Sequence, residues 1–380
     1  MDPKISNLVT DDNYLKFTLS GVNVSIANAL RRIILSEIPT IVFRTSPYEE
    51  NLVDFQLNTT RMNNELIKQR LSCVPIHITD TGFEHKDYLV EADLQNDTDA
   101  IMYLTTGDFK IKNTQNDKYL TDGEVKKIFP QDSISKDFIE LVRLRPKISD
   151  VIPGEHIKFS AQLDIGMAKQ DSAFNVASTC SYGASIDPIK INEVWTNKNK
   201  ELKASGETKD SIASIKKDWD LLDAKRIIMN DSFDFTIESV GPFTNYMIVH
   251  KAADVMIGKL KKFSDDIQSN ESMIKESSST IQHCYDIVLE NEDHTLGKVL
   301  EYILYTKYYQ IDKANTEEQT STNNLTYCGF SKPHPHINQS IVRIAFINNK
   351  EKIDLVTLLV NVADIATIIY KTIGDEFKTE

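Results

Sequence analysis

The side chains best suited to chemistry in this chain lack the company that chemistry needs. His334 and His336 flank Pro335, and two histidines on a rigid turn could ligate zinc. Zinc takes four ligands, or three and a water, and no further donor lies near them in sequence. A structured turn explains them better. Asp293-His294-Thr295 has the residue types of a catalytic fragment, yet no nucleophile elbow such as G-x-S-x-G accompanies it. The acid pairs Asp97 with Asp99 and Asp265 with Asp266 lack the wider pattern of a two-metal site and read as solvated carboxylates. The four cysteines, at 73, 180, 284 and 328, form no C-x-x-C pair, which argues against structural zinc and fits free thiols in a reducing compartment. None of the 13 glycines cluster into a phosphate loop. The expectation is no catalytic residue, no cofactor and no metal.

Composition narrows the class. An apolar fraction of 41% and a charged fraction of 26% are ordinary for a soluble globular chain, and 380 residues suffice for more than one domain. Non-specific nucleic-acid affinity comes mainly from Lys and Arg on phosphates. A net charge of −13 and the lack of a basic stripe exclude a primary nucleic-acid grip, and Arg143-Leu-Arg145-Pro-Lys147 is too short to reverse that. The N-terminus is polar, without a signal-peptide pattern. The longest apolar run, near Val356 to Tyr370, is interrupted by Asn361 and Asp364, so no membrane span is expected.

The informative pattern is a repeat. Leu15, Phe17 and Leu19 alternate with polar residues; Tyr285, Ile287 and Leu289 do the same 270 positions later. Period-two alternation marks a half-buried strand. A polar break follows each, then candidate helix caps: Asn23 or Ser25 first, Asp293 or Thr295 second. Ile26, Leu30, Ile33 and Ile34 then make one helical apolar stripe, matched by Leu296, Leu300, Ile303 and Leu304. Pro39 ends the first helix. Each copy also closes alike. Phe233, Phe235 and Ile237 alternate before a helix from about Asn245 to Phe263, and Ile341 to Ile347 precede a helix from about Lys352 to Phe377. Ala252-Ala-Asp-Val255 rhymes with Val362-Ala-Asp-Ile365. The last helix carries Leu358, Val362, Ile365 and Ile369 on a stripe too broad for one sheet, which favours helix-on-helix pairing between the copies.

Between these landmarks lie a helix near Asn63 to Leu71, a polar and Lys-rich excursion at 184–230 with one helix near Ser211 to Ile228, and a polar loop at 310–324. The expected fold is α+β. Its first dimerisation unit covers 1–75 plus 156–263, and 76–155 is an inserted β-rich subdomain. Residues 264–281, Ser- and charge-rich, suit a flexible linker or a frayed helix end, and 282–380 form a second, smaller unit.

Asn28-Ala-Leu-Arg-Arg-Ile-Ile-Leu-Ser-Glu-Ile-Pro-Thr40 resembles the dimerisation helix of the larger alpha-like subunit of multisubunit RNA polymerases. Glu49-Glu-Asn51, Asn64 to Ile76, Asp164 to Thr179 and Phe235 to Gly241 continue the resemblance in order. Glu290 to Gly297 and Tyr327 to Pro335 resemble the smaller alpha-like subunit. Both on one chain resemble the fused form of large DNA viruses. The zinc- or cluster-binding cysteines of many larger subunits are missing from 76–155.

The resemblance implies a non-catalytic platform that pairs two alpha-like units. It would dock the second-largest and largest polymerase subunits and small accessory subunits, meeting nucleic acid only through the complex. The fusion would place it in a virion and in host cytoplasm, as viral transcription machinery. The resemblance points to Arg31 and Arg32 as docking residues, since Arg offers a planar fork to carboxylates. Arg61 and Arg70 follow, then Lys169 and Phe174 on a docking loop; the alternative is an ordinary surface loop with Phe174 tucked into the core. The alternative function is a stand-alone interaction module of the same fold.

Overall fold

The repeat folds twice into the same sheet. The computed structural model describes all residues except Met1, Asp12, Thr81, Phe83, Asp150, residues 310–324, Thr379 and Glu380, so the expected loop at 310–324 lies outside the described residues. The chain opens with strands β1 (Lys4–Asp11) and β2 (Tyr14–Ser20), helix α1 (Val24–Ser36), β3 (Thr40–Phe43), β4 (Val53–Asn58) and α2 (Asn64–Ser72). Then come β5 (Tyr88–Gln95), β6 (Met102–Thr105), β7 (Lys110–Asn113), β8 (Lys118–Tyr119), α3 (Asp122–Ile128), β9 (Glu140–Leu144) and β10 (His156–Gly166). The next stretch holds β11 (Ala177–Ile186), α4 (Pro188–Ala204), α5 (Lys209–Leu221), β12 (Ile228–Ser239) and α6 (Asn245–Ser269). The chain closes with β13 (Ile274–Glu276), β14 (Cys284–Glu290), α7 (His294–Leu304), β15 (Leu325–Ser331), β16 (Gln339–Phe346) and α8 (Lys352–Asp375).

Contacts divide the chain into two units. One comprises Met1–Ile33, Thr179–Glu238 and Val249–Glu380; the other comprises Ile34–Ser178 and Ser239–Ile248. In the first, two four-stranded sheets have orders β1-β2-β12-β11 and β13-β14-β16-β15. The repeated strand is second from the edge in each and runs antiparallel to the strand that precedes the long helix. Leu15, Phe17 and Leu19 register with Ile237, Phe235 and Phe233; Tyr285, Ile287 and Leu289 register with Ile344, Val342 and Ser340. The equivalent partners keep one constant offset, and the starts of α6 and α8 keep it too. The Ala-Ala-Asp-Val and Val-Ala-Asp-Ile rhyme sits three residues out of that offset, so it matches neighbouring helical turns rather than equivalent positions.

The caps use the first candidate in each copy. Asn23 Oδ1 accepts from the Ser25 N–H at 2.9 Å, and Asp293 Oδ1 accepts from the Thr295 N–H at 2.8 Å. Both satisfy donors that a first helical turn leaves free.

In the second unit β10 is the spine. Its antiparallel neighbours are β3 and β4 on one side and β5 on the other. The division expected at 76 and 155 does not appear as a break. β5 hydrogen-bonds along β10, and Val90, Leu104 and Phe129 share one core with Phe43, Ile67 and Phe159. Nor is 264–281 a continuous flexible stretch: α6 runs to Ser269, and β13 pairs with β14. The excursion at 184–230 holds two helices instead of one. Asp187 caps α4 with Pro188 in its first turn, yet none of the α4 residues is buried, so no apolar stripe announced it.

Candidate pairing and docking surfaces

In the first unit the apolar stripes expected to pair are buried. Ile26, Leu30 and Ile33 are fully covered, as are Leu300, Ile303 and Leu304 of α7, with Leu296 nearly so. Leu358, Val362 and Ile369 of α8 are buried, and Ile365 is half-buried. Ile34, also buried, lies just past the boundary, in the second unit. By length and composition α8 is apolar enough to cross a membrane, contrary to the reading of Asn361 and Asp364 as interruptions. The face holding Leu355, Leu359, Ala363 and Tyr370 is instead spent inside the protein.

Polar contacts join the N-terminal elements to the C-terminal ones. Arg32 donates from Nε to Thr295 Oγ1 at 2.9 Å and from Nη2 to Asp293 Oδ2 at 2.7 Å. Tyr370 Oη, fully buried, donates to the Ile26 carbonyl at 3.2 Å, and its burial pushes the phenol pKa up. Phe17 touches Phe377 at 4.9 Å between ring centroids while stacking on Phe235. His250 Nδ1 lies 3.0 Å from the Gly374 carbonyl, and Lys259 lies 2.8 Å from Glu292.

This geometry separates the two adjacent arginines. Arg32, expected at a docking surface, is engaged inside the chain. Arg31 donates only locally, from Nε and Nη2 to Asn28 Oδ1 at 3.1 and 3.0 Å, and stays half-exposed. Cys180, whose thiol burial pushes up to about 12, feels the opposing charge of Arg31.

In the second unit the loop at 167–175 is pinned at several points. The Lys169 N–H donates to the Ser36 carbonyl at 2.8 Å, and Lys169 Nζ lies 3.4 Å from the buried Glu37. Phe174 is 2% exposed, so it anchors the loop inward and offers no apolar face to a partner. It packs where a Cβ on Gly166 would come within 2.6 Å of its ring, and the Arg44 guanidinium lies 5.8 Å from its centroid. Arg44 in turn holds Asp164 and the Ile165 carbonyl. Burial raises the Asp164 pKa, but the Arg44 hydrogen bond and charge and the Ile165 N–H outweigh it, so the carboxyl lies below its ordinary value. Arg61 and Arg70 are both exposed, and Arg70 donates to the Leu141 carbonyl at 2.5 Å.

Beside this loop opens a cavity of about 630 Å³, lined by the Thr45–Tyr48 turn, one face of α2 and residues 171–175. Lys68 lies in it, and the sequence reading missed it. Its signal was there: a lysine beside the buried pair Ile67 and Leu71 is an odd choice for that helix face. His334 and His336, in contrast, only close a turn. Their rings are 4.9 Å apart, and the His336 N–H donates to His334 Nδ1. Among the described residues no group of three metal-ligating side chains assembles.

A family model described as the RNA polymerase Rpb3/Rpb11 dimerisation domain matches residues 16–260. The chain is 24% identical over 300 residues to subunit RPAC1 of human DNA-directed RNA polymerases I and III, covering 68% of this chain and 83% of that protein. It is 26% identical over 285 residues to DNA-directed RNA polymerase subunit Rpo3 of Pyrococcus furiosus, covering 70% and 97%. Subunit 3 of DNA-directed RNA polymerases II, IV and V of Arabidopsis thaliana is 25% identical over 306 residues, covering 70% and 92%.

Proposed function

We propose, from the premise that this chain belongs to the RNA polymerase Rpb3/Rpb11 dimerisation-domain family, that it supplies both halves of the family's pair in one molecule. The chain is an Rpb3-like, non-catalytic assembly subunit of a multisubunit DNA-directed RNA polymerase, at work inside the cell as part of that complex. Rpb3-like subunits pair with Rpb11-like subunits. In our reading residues 282–380 take the Rpb11-like role, and the two copies pair about a pseudo-twofold axis.

One observation carries this reading. The sheet β13-β14-β16-β15 repeats the strand order of β1-β2-β12-β11, helix for helix. On this reading the contacts of Arg32 with Asp293 and of Tyr370 with Ile26 are contacts between the two copies. Separate partners lose translational and rotational freedom on meeting. A covalent connection replaces that loss with an effective concentration, roughly millimolar for a short linker. A fused pair is the arrangement of large DNA viruses, and on that reading the protein serves viral transcription in virion and host cytoplasm.

The docking reading takes Arg31 in the first unit, and separately Arg61, Arg70 and the pinned loop at 167–175 in the second, as residues that meet the second-largest subunit, the largest and the small accessory subunits being further partners. Arg32 in the first unit and Phe174 in the second hold their own elements in place. The test is Arg31→Glu in the full chain. Folding, followed by thermal melt, is expected to survive, and capture of the second-largest subunit to fall. Arg32→Glu would be ambiguous, since it also breaks the bond to Asp293. Unimpaired capture by Arg31→Glu removes Arg31 from the interface.

A further inference from the structure

The contacts between the two copies put opposite charges on opposite sides. Positions 270 apart are equivalent between α1 and α7, which start at Val24 and His294, and positions 107 apart between α6 and α8, which start at Asn245 and Lys352. If a twofold axis related the copies, every contact between them would have a mate made by the equivalent residues. The bonds of Arg32 to Asp293 and Thr295 would recur between Tyr302 and the pair Asn23 and Ser25. Tyr302 and Ser25 do come together, lining one groove of about 550 Å³. The ion pair of Lys259 with Glu292, at 2.8 Å and with side chains 13% and 21% exposed, would recur between Ala366 and Val22, both buried. Tyr370, whose hydroxyl reaches the Ile26 carbonyl, is matched by Phe263, which has no donor. None of these mates carries a charge. In both ionic contacts the cation belongs to the first copy and the carboxylate to the second.

We propose that these contacts set partner choice: the face built from α1 and α6 accepts residues 282–380 and refuses a second copy of itself. The proposal rests on the pairing reading above and deepens it. Two first copies brought together in the same way would set Arg32 against Asn23 and Lys259 against Val22, twice each. Two second copies would set Asp293 against Tyr302 and Glu292 against Ala366. Either wrong pair strips partly buried charges of their counter-charges, which costs more than the right pair gains. The tether alone does not supply this choice while the chain is being made. The first copy is complete before residues 282–380 exist, and the rest of the chain takes roughly ten seconds to synthesise. In that interval the faces it can meet belong to other first copies.

Charge reversal tests this in the full chain. Arg32→Asp with Lys259→Glu makes both sides acidic; Asp293→Arg with Glu292→Lys makes both basic. Each double variant is expected to melt roughly 5 °C or more below the native chain. All four changes in one chain should recover most of that loss. Double variants that melt like the native chain, or a fourfold variant that recovers nothing, overturn the proposal. Partner choice itself is read with a protease site inserted between Ser277 and Thr280. Native and fourfold-reversed chains are cut, mixed in urea, returned to buffer and weighed by native mass spectrometry. Matched pairs should exceed mismatched and like-with-like pairs by roughly tenfold or more. A statistical mixture overturns partner choice and leaves the pairing standing. Native pieces that part as soon as they are cut overturn the pairing reading and this one with it. Where the pieces do not refold, the melts of the uncut chains decide.

Discussion

At the residue scale, Asp293 shows how one side chain can serve two levels of structure. Oδ1 caps α7, and Oδ2 holds Arg32 of α1. Its counterpart Asn23 caps α1 through Ser25. Asp293→Ala should therefore cost about 1 kcal/mol for the cap, together with the ion pair. That pair is not fully buried, with side chains 36% and 24% exposed, so its coupling energy is expected to be about 0.5–1 kcal/mol. Thermal melts of Arg32→Ala, Asp293→Ala and the double variant measure it, and strict additivity would mean that the two side chains stabilise independently. His77 gives a pH-dependent counterpart. Burial lowers its pKa, so below about 6.5 the unfolded chain takes up a proton that the folded chain refuses. Stability is full above that pH and falls as pH drops through the window down to the folded value. His77→Gln should flatten the pH 5–7 dependence of the melting temperature; an unchanged slope would assign it elsewhere. Adjacent arginines with opposite fates could not be told apart in the sequence. Arg31 and Arg32 differ by 100° around a helix, and only the position of Asp293, far along the chain, selects which one turns inward.

At the element scale the repeat is close but not exact, and the difference has a cause. Ala27 in α1 stands where α7 has Gly297. A Cβ at 297 would lie 2.0 Å from the Phe330 ring of β15, a ring also flanked by Lys298 and His294. Gly297→Ala ought to gain about 1 kcal/mol of helix propensity, but the overpacking costs about 1–3 kcal/mol. Net destabilisation is expected in denaturant melts, with recovery when Phe330 is also changed to Leu. A more stable Gly297→Ala would show that the ring moves aside freely. The α4–α5 hairpin predicts the opposite, an element the fold can lose. Its ends are already bridged, because the Asp187 N–H donates to the Ile227 carbonyl. Beyond Trp219, whose ring is tilted against Trp195, and Ala224, it buries no residue. Replacing residues 190–224 by a short turn should shift the melting temperature by only a few degrees; loss of folding would mean that the hairpin braces β11 and β12. This contrast also marks what the sequence made legible. Strands and helices with one buried face announced themselves through Leu15, Phe17 and Leu19 or Ile26 and Leu30. α4 shows no such period because nothing covers it. The shared sheet of β5 and β10 was equally invisible, since strand pairing across sixty intervening residues leaves no local signal.

At the scale of the whole molecule the covalent connection is the feature with consequences. β13 precedes the turn at 277–283, yet it pairs with β14 beyond that turn. Cutting the chain at Ser277–Thr280 would leave β13 on the N-terminal piece as a strand of the C-terminal piece's sheet. The contacts of Tyr370, Phe377, Arg32, His250 and Lys259 would then be among the ties left between the pieces. With a protease site inserted there, the cleaved pieces are expected to co-elute at micromolar concentration, because the surfaces they share are apolar core rather than wet contact. The tether holds them at an effective concentration of roughly millimolar, so the intact chain should melt at one temperature whatever its dilution. The cleaved pair should instead lose stability with each tenfold dilution, as any two-body equilibrium does. Pieces that separate at once would show that residues 282–380 fold beside the first copy without pairing with it. A cleaved pair whose melting ignores dilution would show that the pairing, not the connection, already supplies all the stability the assembly needs.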